Sequence, residues 1–261
     1  MNWNRHRAIL IPAAIAIAAV AGIAFLTPLP LSAIRADDPS SHLWLFLSDS
    51  GAQWGIITIL LITSITVAVR QANWRDELKK GIMLFASLAI FIATIAAVNE
   101  VVIKRLTKTP RPFAFRLEQE NIIPAAKLYF HDRRKQRTET LREALNQNAE
   151  HPFLKNLHPG IRDHWLSHTG YSFPSGHSLC AFGLATLLAF IFQHFINPRL
   201  IWLPFLWATA VALSRVAIGA HSPQDVTVGA AAGVFISTII LSLGWMDWFL
   251  PRENSADPDC Q

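Results

Sequence analysis

The chain has 261 residues, 52% of them hydrophobic and 16% charged, with 23 Lys and Arg against 18 Asp and Glu. Soluble chains carry about 25% charged residues. Here the apolar residues gather into six long stretches, each about long enough to cross a hydrocarbon core of ~30 Å, which excludes a soluble domain, a disordered chain and a disulfide scaffold.

Six spans are expected in chain order. The first covers residues 8–26, behind Arg5 and Arg7. Its apolar run exceeds the ~7–15 residues of a signal-peptide core, so an uncleaved anchor is expected. The second covers 51–69 and the third 81–103, with Glu100 near its far end. The fourth follows His177 and ends at Asn197-Pro198, the fifth covers 200–214, and the sixth runs from Asp225 to about Met246. The fold class is therefore all-α: a six-transmembrane-helix bundle forming one membrane-embedded domain over residues 1–246. Residues 247–261, rich in Asp, Pro and Ser, read as a disordered cytoplasmic tail.

Lys and Arg in short loops set orientation. Arg5 and Arg7, then Arg70, Arg75, Lys79 and Lys80, then Arg199 and Arg252 fall on one side, whereas the first connection on the other side holds only Arg35. Both termini are expected in the cytoplasm. Cys180 and Cys260 then fall on or near opposite faces, so no bridge is expected. Residues 104–172 lie outside by this count, with 13 Lys and Arg against 7 Asp and Glu; long loops translocate largely regardless of charge. An α-helical periplasmic insertion is expected over about 113–172. Within it, residues 125–150 read as a charge-rich surface helix that leaves Arg133, Arg134, Lys135, Arg137 and Arg142 solvated; a lipid-headgroup surface is the alternative. Basic charge confined to loops gives no nucleic-acid surface.

Three motifs fall at the same outer interface. Lys104 is followed after six residues by Arg111-Pro112; Pro174-Ser175-Gly176-His177 opens the fourth span; Ser214-Arg215, His221 and Asp225 join the fifth to the sixth. Lys104, Arg111 and Arg215 are three cations at span ends, where ionisable groups are costly. An Arg fork and a Lys point charge suit phosphate oxygens. Lys108 and Arg105 read as interfacial snorkelling residues, and Glu100 as the helical partner of Lys104. Ser175 and Gly176 stand where free N–H groups and the helix dipole favour an anion. Asp225, four residues after His221, is spaced to accept from Nδ1–H and leave Nε2 free to attack. Ser222-Pro223 reads as the start of the sixth helix. His131, His151, His158, His164, His168 and His194 lack such partners in sequence; His164 and His168 are the ones placed to touch a substrate.

Together these residues resemble the phosphatidic acid phosphatase type 2 superfamily. The pattern Lys-x6-Arg-Pro, Pro-Ser-Gly-His, Ser-Arg-x5-His-x3-Asp is met at every fixed position. Arg111-Pro112-Phe113, Leu117-Glu118, Ile123-Pro124, His164-Trp165 and Thr169-Gly170 are similar to its bacterial phosphatidylglycerophosphatase branch. The resemblance implies a metal-independent, cofactor-free lipid phosphatase of the inner membrane, with its site facing the periplasm. Phosphatidylglycerophosphate and undecaprenyl pyrophosphate lead as substrates, with phosphatidate and lysophosphatidate next. It implies His221 as nucleophile, Asp225 as its orienting partner and His177 as general acid and base. Lys104, Arg111, Ser175, Gly176 and Arg215 would hold the phosphate oxygens. Competing readings are a lipid phosphotransferase, a vanadate-type haloperoxidase, and a transporter or anion receptor that binds phosphate without chemistry.

Overall fold

The computed structural model describes residues 3–27, 35–69 and 74–249. Every regular element among them is helical, beside one isolated bridge between Arg35 and Leu157. Helices α1 (Trp3–Leu26), α4 (Trp74–Val98), α11 (Gly176–Ile191), α12 (Trp202–Ala217) and α13 (Pro223–Ser242) anchor five segments long and apolar enough to cross a membrane. α2 (Ser40–Ser50) and α3 (Gln53–Val69), which meet at 61°, are apolar and long enough for a sixth only if the bent pair counts as one. The third expected span is longer than its apolar pattern, because helical structure continues as one segment, Leu78–Thr107.

α11 is the axis of the bundle. Its sequence is apolar on every face, and residues Ser178 to Ile191 are all buried, as expected of a helix surrounded by others. It packs most extensively against α13 and α12. The outer helices instead turn large apolar side chains outward: Ile11, Trp54, Ile62 and Ile90 are 56–78% exposed. Such a belt matches a bilayer rather than water.

The α11–α13 contact is close because glycines make it. A methyl group on Gly229 would sit 2.6 Å from the Ser175 carbonyl oxygen, and one on Gly233 would meet the Leu179 carbonyl and come within 2.8 Å of Gly183 N. Small residues let two backbones approach where lipid supplies no hydrophobic drive.

Between α5 (Lys104–Thr107) and α11 lies the insertion: α6 (Pro112–Gln119), α7 (Ala125–Leu128), α8 (Arg134–Gln147), α9 (Pro152–Asn156) and α10 (Pro159–Ser167). It has its own apolar core around Phe113, Leu117, Leu141, Ile161 and Trp165, joined by Ile218 and Ala220 from the α12–α13 turn. Trp165 Nε1 donates to the Ile218 carbonyl at 2.8 Å, and its ring stacks on Phe113 at 5.1 Å. The insertion is thus clamped to the turn that carries the third motif.

Two expectations fail here. The surface helix over 125–150 is broken between Leu128 and Arg134, where Tyr129 turns inward so that its hydroxyl accepts from Arg111 N at 3.1 Å. Arg137 is not solvated: it is 3% exposed, with its guanidinium 4.3 Å from the Tyr171 ring centroid and 5.3 Å from that of Tyr129. In the expected tail, Asp247–Phe249 form a 3-10 turn with Phe249 buried; the remainder, Cys260 included, lies outside the described residues. Cys180 is a buried free thiol.

The glycine contact gives a first prediction. Gly229→Ala should cost about 1–3 kcal/mol of overpacking and lower the Tm by roughly 2–10 °C. Gly22→Ala, where nothing stands within 4 Å, should leave it level or slightly higher. Thermal melts of both variants in the same detergent check this.

Candidate active site

The first wall begins where α4 widens into a π turn, Asn99–Ile103, and passes into the single turn of α5. The extra residue per turn re-aims the helix face. Asn99 and Lys104 are buried, while Glu100 stays half-exposed. Lys104 Nζ donates to Glu100 Oε2 at 2.8 Å, the i,i+4 pair expected from sequence. Asn99 Oδ1 is buried without a hydrogen-bond partner among the described residues.

Arg111 caps α6 ahead of Pro112, a residue suited to the first helical position. Its guanidinium is held from several sides: Nε donates to Gly170 O at 2.9 Å, Nη1 to Ala220 O at 2.9 Å and Nη2 to Tyr171 O at 3.4 Å. Nη1 also stands 3.1 Å from His221 Nε2. An arginine can only donate, so Nε2 carries the lone pair and the ring proton sits on Nδ1.

The second motif starts α11. Ser175 is its N-cap; its hydroxyl accepts from Ser178 N at 3.3 Å, and its own N–H donates to Asp225 O at 3.0 Å. Gly176 lies close against the first wall: a Cβ there would stand 3.3 Å from Asn99 Nδ2, a tight contact. The His177 ring lies 6.0 Å from that of His168.

The third motif is built by a helix stop. Gly219, at φ 69°, ends α12 with the left-handed residue such stops favour. The N–H groups of Ala220 and His221 both return to the Arg215 carbonyl, at 3.0 and 3.1 Å. That return places His221 beside Arg215. The Arg215 side chain is wholly buried; Nη1 donates to the Ser48 hydroxyl and to His164 Nε2, the latter at 2.9 Å. Its Nε and Nη2 have no hydrogen-bond partner among the described residues. Ser222 and Asp225 form a capping box at the start of α13.

That box alters the expected His–Asp contact. Asp225 Oδ2 accepts from Ser222 N at 2.7 Å and lies 3.5 Å from His221 Nδ1. Ser172 fills the gap: its hydroxyl donates to Asp225 Oδ2 and stands 3.3 Å from Nδ1. The carboxylate is drawn to the helix cap, and the serine carries its influence to the ring.

Lys104, Arg111, Gly176, His177 and His221 line one cavity of about 740 Å³. Its other end runs between α3 and α4 along Ile56, Leu60, Ile92 and Ala96. Ser175, Arg215 and Asp225 are not on this surface; they bond to the residues behind it. His168 lines the cavity, as its sequence position suggested, whereas His164 does not and instead holds Arg215. Asn99, Arg134 and Ser172 were not foreseen. A buried amide beside Glu100 in an apolar run was a usable signal for Asn99; nothing local marks Ser172.

The site is strongly electropositive, with Lys104, Arg111 and Arg134 on the cavity wall and Arg215 behind it. Burial, and then Arg111 and Arg215, hold the His221 ring well below the usual histidine range. Burial pushes His168 down to about 3 and His164 lower still, with Arg215 adding to both. These rings therefore stand neutral at pH 7.

Residues 80–249, which contain all eight of these site residues, match the family model of the PAP2 superfamily. The chain belongs to the PAP2 superfamily. Within it, the chain is 32% identical over 177 residues to phosphatidylglycerophosphatase B of Escherichia coli (strain K12), covering 67% of this chain. The match spans 64% of that relative, just under two thirds of its length. Phosphatidylglycerophosphatase B of Haemophilus influenzae is 28% identical over 207 residues, covering 76% of this chain and 80% of the relative. An undecaprenyl-diphosphatase of Sulfolobus acidocaldarius is 38% identical over 77 residues, covering 29% and 34%.

The buried histidines of this PAP2 chain set a pH dependence of stability. His168 stays neutral when folded, but once unfolded it binds a proton below about 6.5. Stability from this group is full above that value and is lost as pH falls towards 3. One pH unit below 6.5 corresponds to about 1.4 kcal/mol, or roughly 2–4 °C in Tm for a chain of this size. Melts between pH 7.5 and 5 should show at least that decline, and His168→Asn should make it shallower by this group's share, His164 and His221 keeping the rest.

Proposed function

We propose that the protein is a membrane lipid phosphatase acting through a phosphohistidine on His221. Its substrates are phosphatidylglycerophosphate, undecaprenyl pyrophosphate or both, with phosphatidate also turned over. One observation carries the reading: a single cavity joins three histidines (His168, His177 and His221) and three cations (Lys104, Arg111 and Arg134) at one end to an apolar slot between α3 and α4 at the other. A lipid phosphate has that same division between head and chain.

In this reading His221 Nε2 attacks phosphorus in line with the lipid oxygen. The N–P bond forms as the P–O bond to the lipid breaks, and His177 gives its proton to the leaving oxygen. Asp225, through Ser172, holds the Nδ1–H tautomer and stabilises the positive ring. Arg111 Nη1, which contacts Nε2 at 3.1 Å, re-aims its N–H hydrogen bond at a nonbridging oxygen and stays protonated. Arg215, buried behind the cavity wall with Nε and Nη2 unpaired among the described residues, adds its positive field from there, and Lys104 and the Gly176 N–H complete the oxygen contacts. Such positioning and charge stabilisation are most of phosphoryl-transfer catalysis. Water, deprotonated by His177, then attacks the phosphohistidine and frees inorganic phosphate. Lys104, Arg111 and Arg134 at the polar end of the cavity make it a poor seat for a divalent ion, and the proposed steps require none.

The site sits at the insertion end of the bundle; in this reading that end is periplasmic, with both termini in the cytoplasm and the chain in the inner membrane, and the bias of Lys and Arg in the short loops supports it. Purified protein in detergent with EDTA should release phosphate from phosphatidylglycerophosphate, undecaprenyl pyrophosphate and phosphatidate. His221→Ala should lower the rate at least ~10³-fold without lowering Tm by more than a few degrees. Turnover that EDTA abolishes, or that survives in folded His221→Ala, would refute the mechanism.

A further inference from the structure

A second cavity of about 670 Å³ adjoins the first. Glu100, Lys104, Arg134 and Gly170 line both, so the two share a wall. Six cations surround the second: Lys104, Arg105, Lys108, Arg133, Arg134 and Arg137. Its acids are Glu100, engaged by Lys104 at 2.8 Å, and Asp132, engaged by Lys108 at 3.3 Å. The four arginines hold no ion pair among the described residues.

Arg137 is the decisive member. It is 3% exposed, and its Nε and Nη1 have no hydrogen-bond partner among the described residues. Its plane is fixed against Tyr171 and Tyr129, and Tyr129 is itself tied to Arg111 N and to Gly170 O. A buried guanidinium with unmade hydrogen bonds is costly. A rigid planar fork at the wall of a cationic cavity suits the oxygens of a phosphate. The cavity also takes in the start of α8, whose first N–H groups and dipole add to the same field.

We propose that this cavity is a second phosphate site, distinct from the one at His221 and separated from it by the Lys104–Glu100 pair and Gly170. Its ligand is a phosphate anion, either the headgroup of a neighbouring anionic lipid or free inorganic phosphate on its way to water. The exposed Val101 and Leu106 beside it put the cavity at the edge of the apolar belt, within reach of both sources. The site goes beyond the proposed phosphatase reading and does not require it, since it concerns binding at Arg137 rather than turnover at His221.

The test is hydrogen–deuterium exchange on the full chain carrying His221→Ala, in detergent at low salt. The probes are inorganic phosphate, dihexanoyl phosphatidylglycerol and zwitterionic dihexanoyl phosphatidylcholine. Phosphate, phosphatidylglycerol or both should slow exchange at residues 133–141 at least threefold, and phosphatidylcholine should not. Slowing by phosphatidylglycerol alone assigns a lipid headgroup; slowing by inorganic phosphate as well assigns the free anion. Arg137→Gln should abolish the effect at 133–141 while any slowing at residues 175–178, the catalytic anion site, persists. Should Arg137→Gln misfold, the exposed pair Arg105→Gln and Arg133→Gln should weaken the effect at least threefold. No slowing at 133–141 by either anion, or equal slowing in the folded variants, would overturn the proposal. Phosphate release by the wild-type chain judges the functional reading separately.

Discussion

A guanidinium out of reach of water, with two of its nitrogens unpaired, is the constraint around which the rest of the molecule is arranged. Arg215 sits wholly buried at the last turn of α12. Removing such a charge from water costs several kcal/mol unless partners replace the solvent. The partners it has come from distant parts of the chain: Ser48 from α2 and His164 from the insertion. Holding it there requires the bundle and the insertion to be docked together, which the Trp165–Ile218 contact and the shared apolar core accomplish. Arg215 Nε and Nη2 keep no hydrogen-bond partner among the described residues, so the burial of this charge is only partly compensated by Ser48 and His164.

The same economy explains how few residues position the chemistry. One helix stop at Gly219 returns His221 to Arg215, and one capping box fixes both the start of α13 and the Asp225 carboxylate. Glycines between α11 and α13 bring Ser175 N–H against Asp225 O. The geometry of the candidate site and the helix packing are thus the same set of contacts. Arg111 links them to the second cavity, since the carbonyls it binds, Gly170 and Tyr171, belong to the strip that separates the two sites.

The sequence was legible where physics is local. Apolar length gave the helices, and the spacing of Lys104, Arg111, His177, Arg215, His221 and Asp225 gave a site that the fold does gather. Ser222-Pro223 gave the start of α13. What escaped depends on distant partners. Arg137 reads as one more charge in a polar helix, and only Tyr129 and Tyr171, brought together by the insertion fold, make it a buried residue. Ser172 reaches Asp225 from 53 positions away. The widening of α4 at Asn99–Ile103, which carries the helix beyond its apolar pattern to Lys104, has no signature in hydropathy. The 61° bend between α2 and α3 likewise escaped, because it falls at the start of the apolar run expected over 51–69, the rest of which is the unbroken α3.

The measurement that bears most directly on the central claim is a trapping experiment. Lipid carrying a labelled terminal phosphate would be mixed with the protein and quenched in alkali within milliseconds to seconds. The account predicts label bound covalently to the chain, stable in alkali and lost in mild acid as a phosphoramidate is. It should map to His221, vanish in His221→Ala, and persist longer when His177 is replaced by Asn and a lipid with a good leaving group is supplied. Label on another residue, or turnover in the wild-type chain with no covalent label at any quench time, would contradict it.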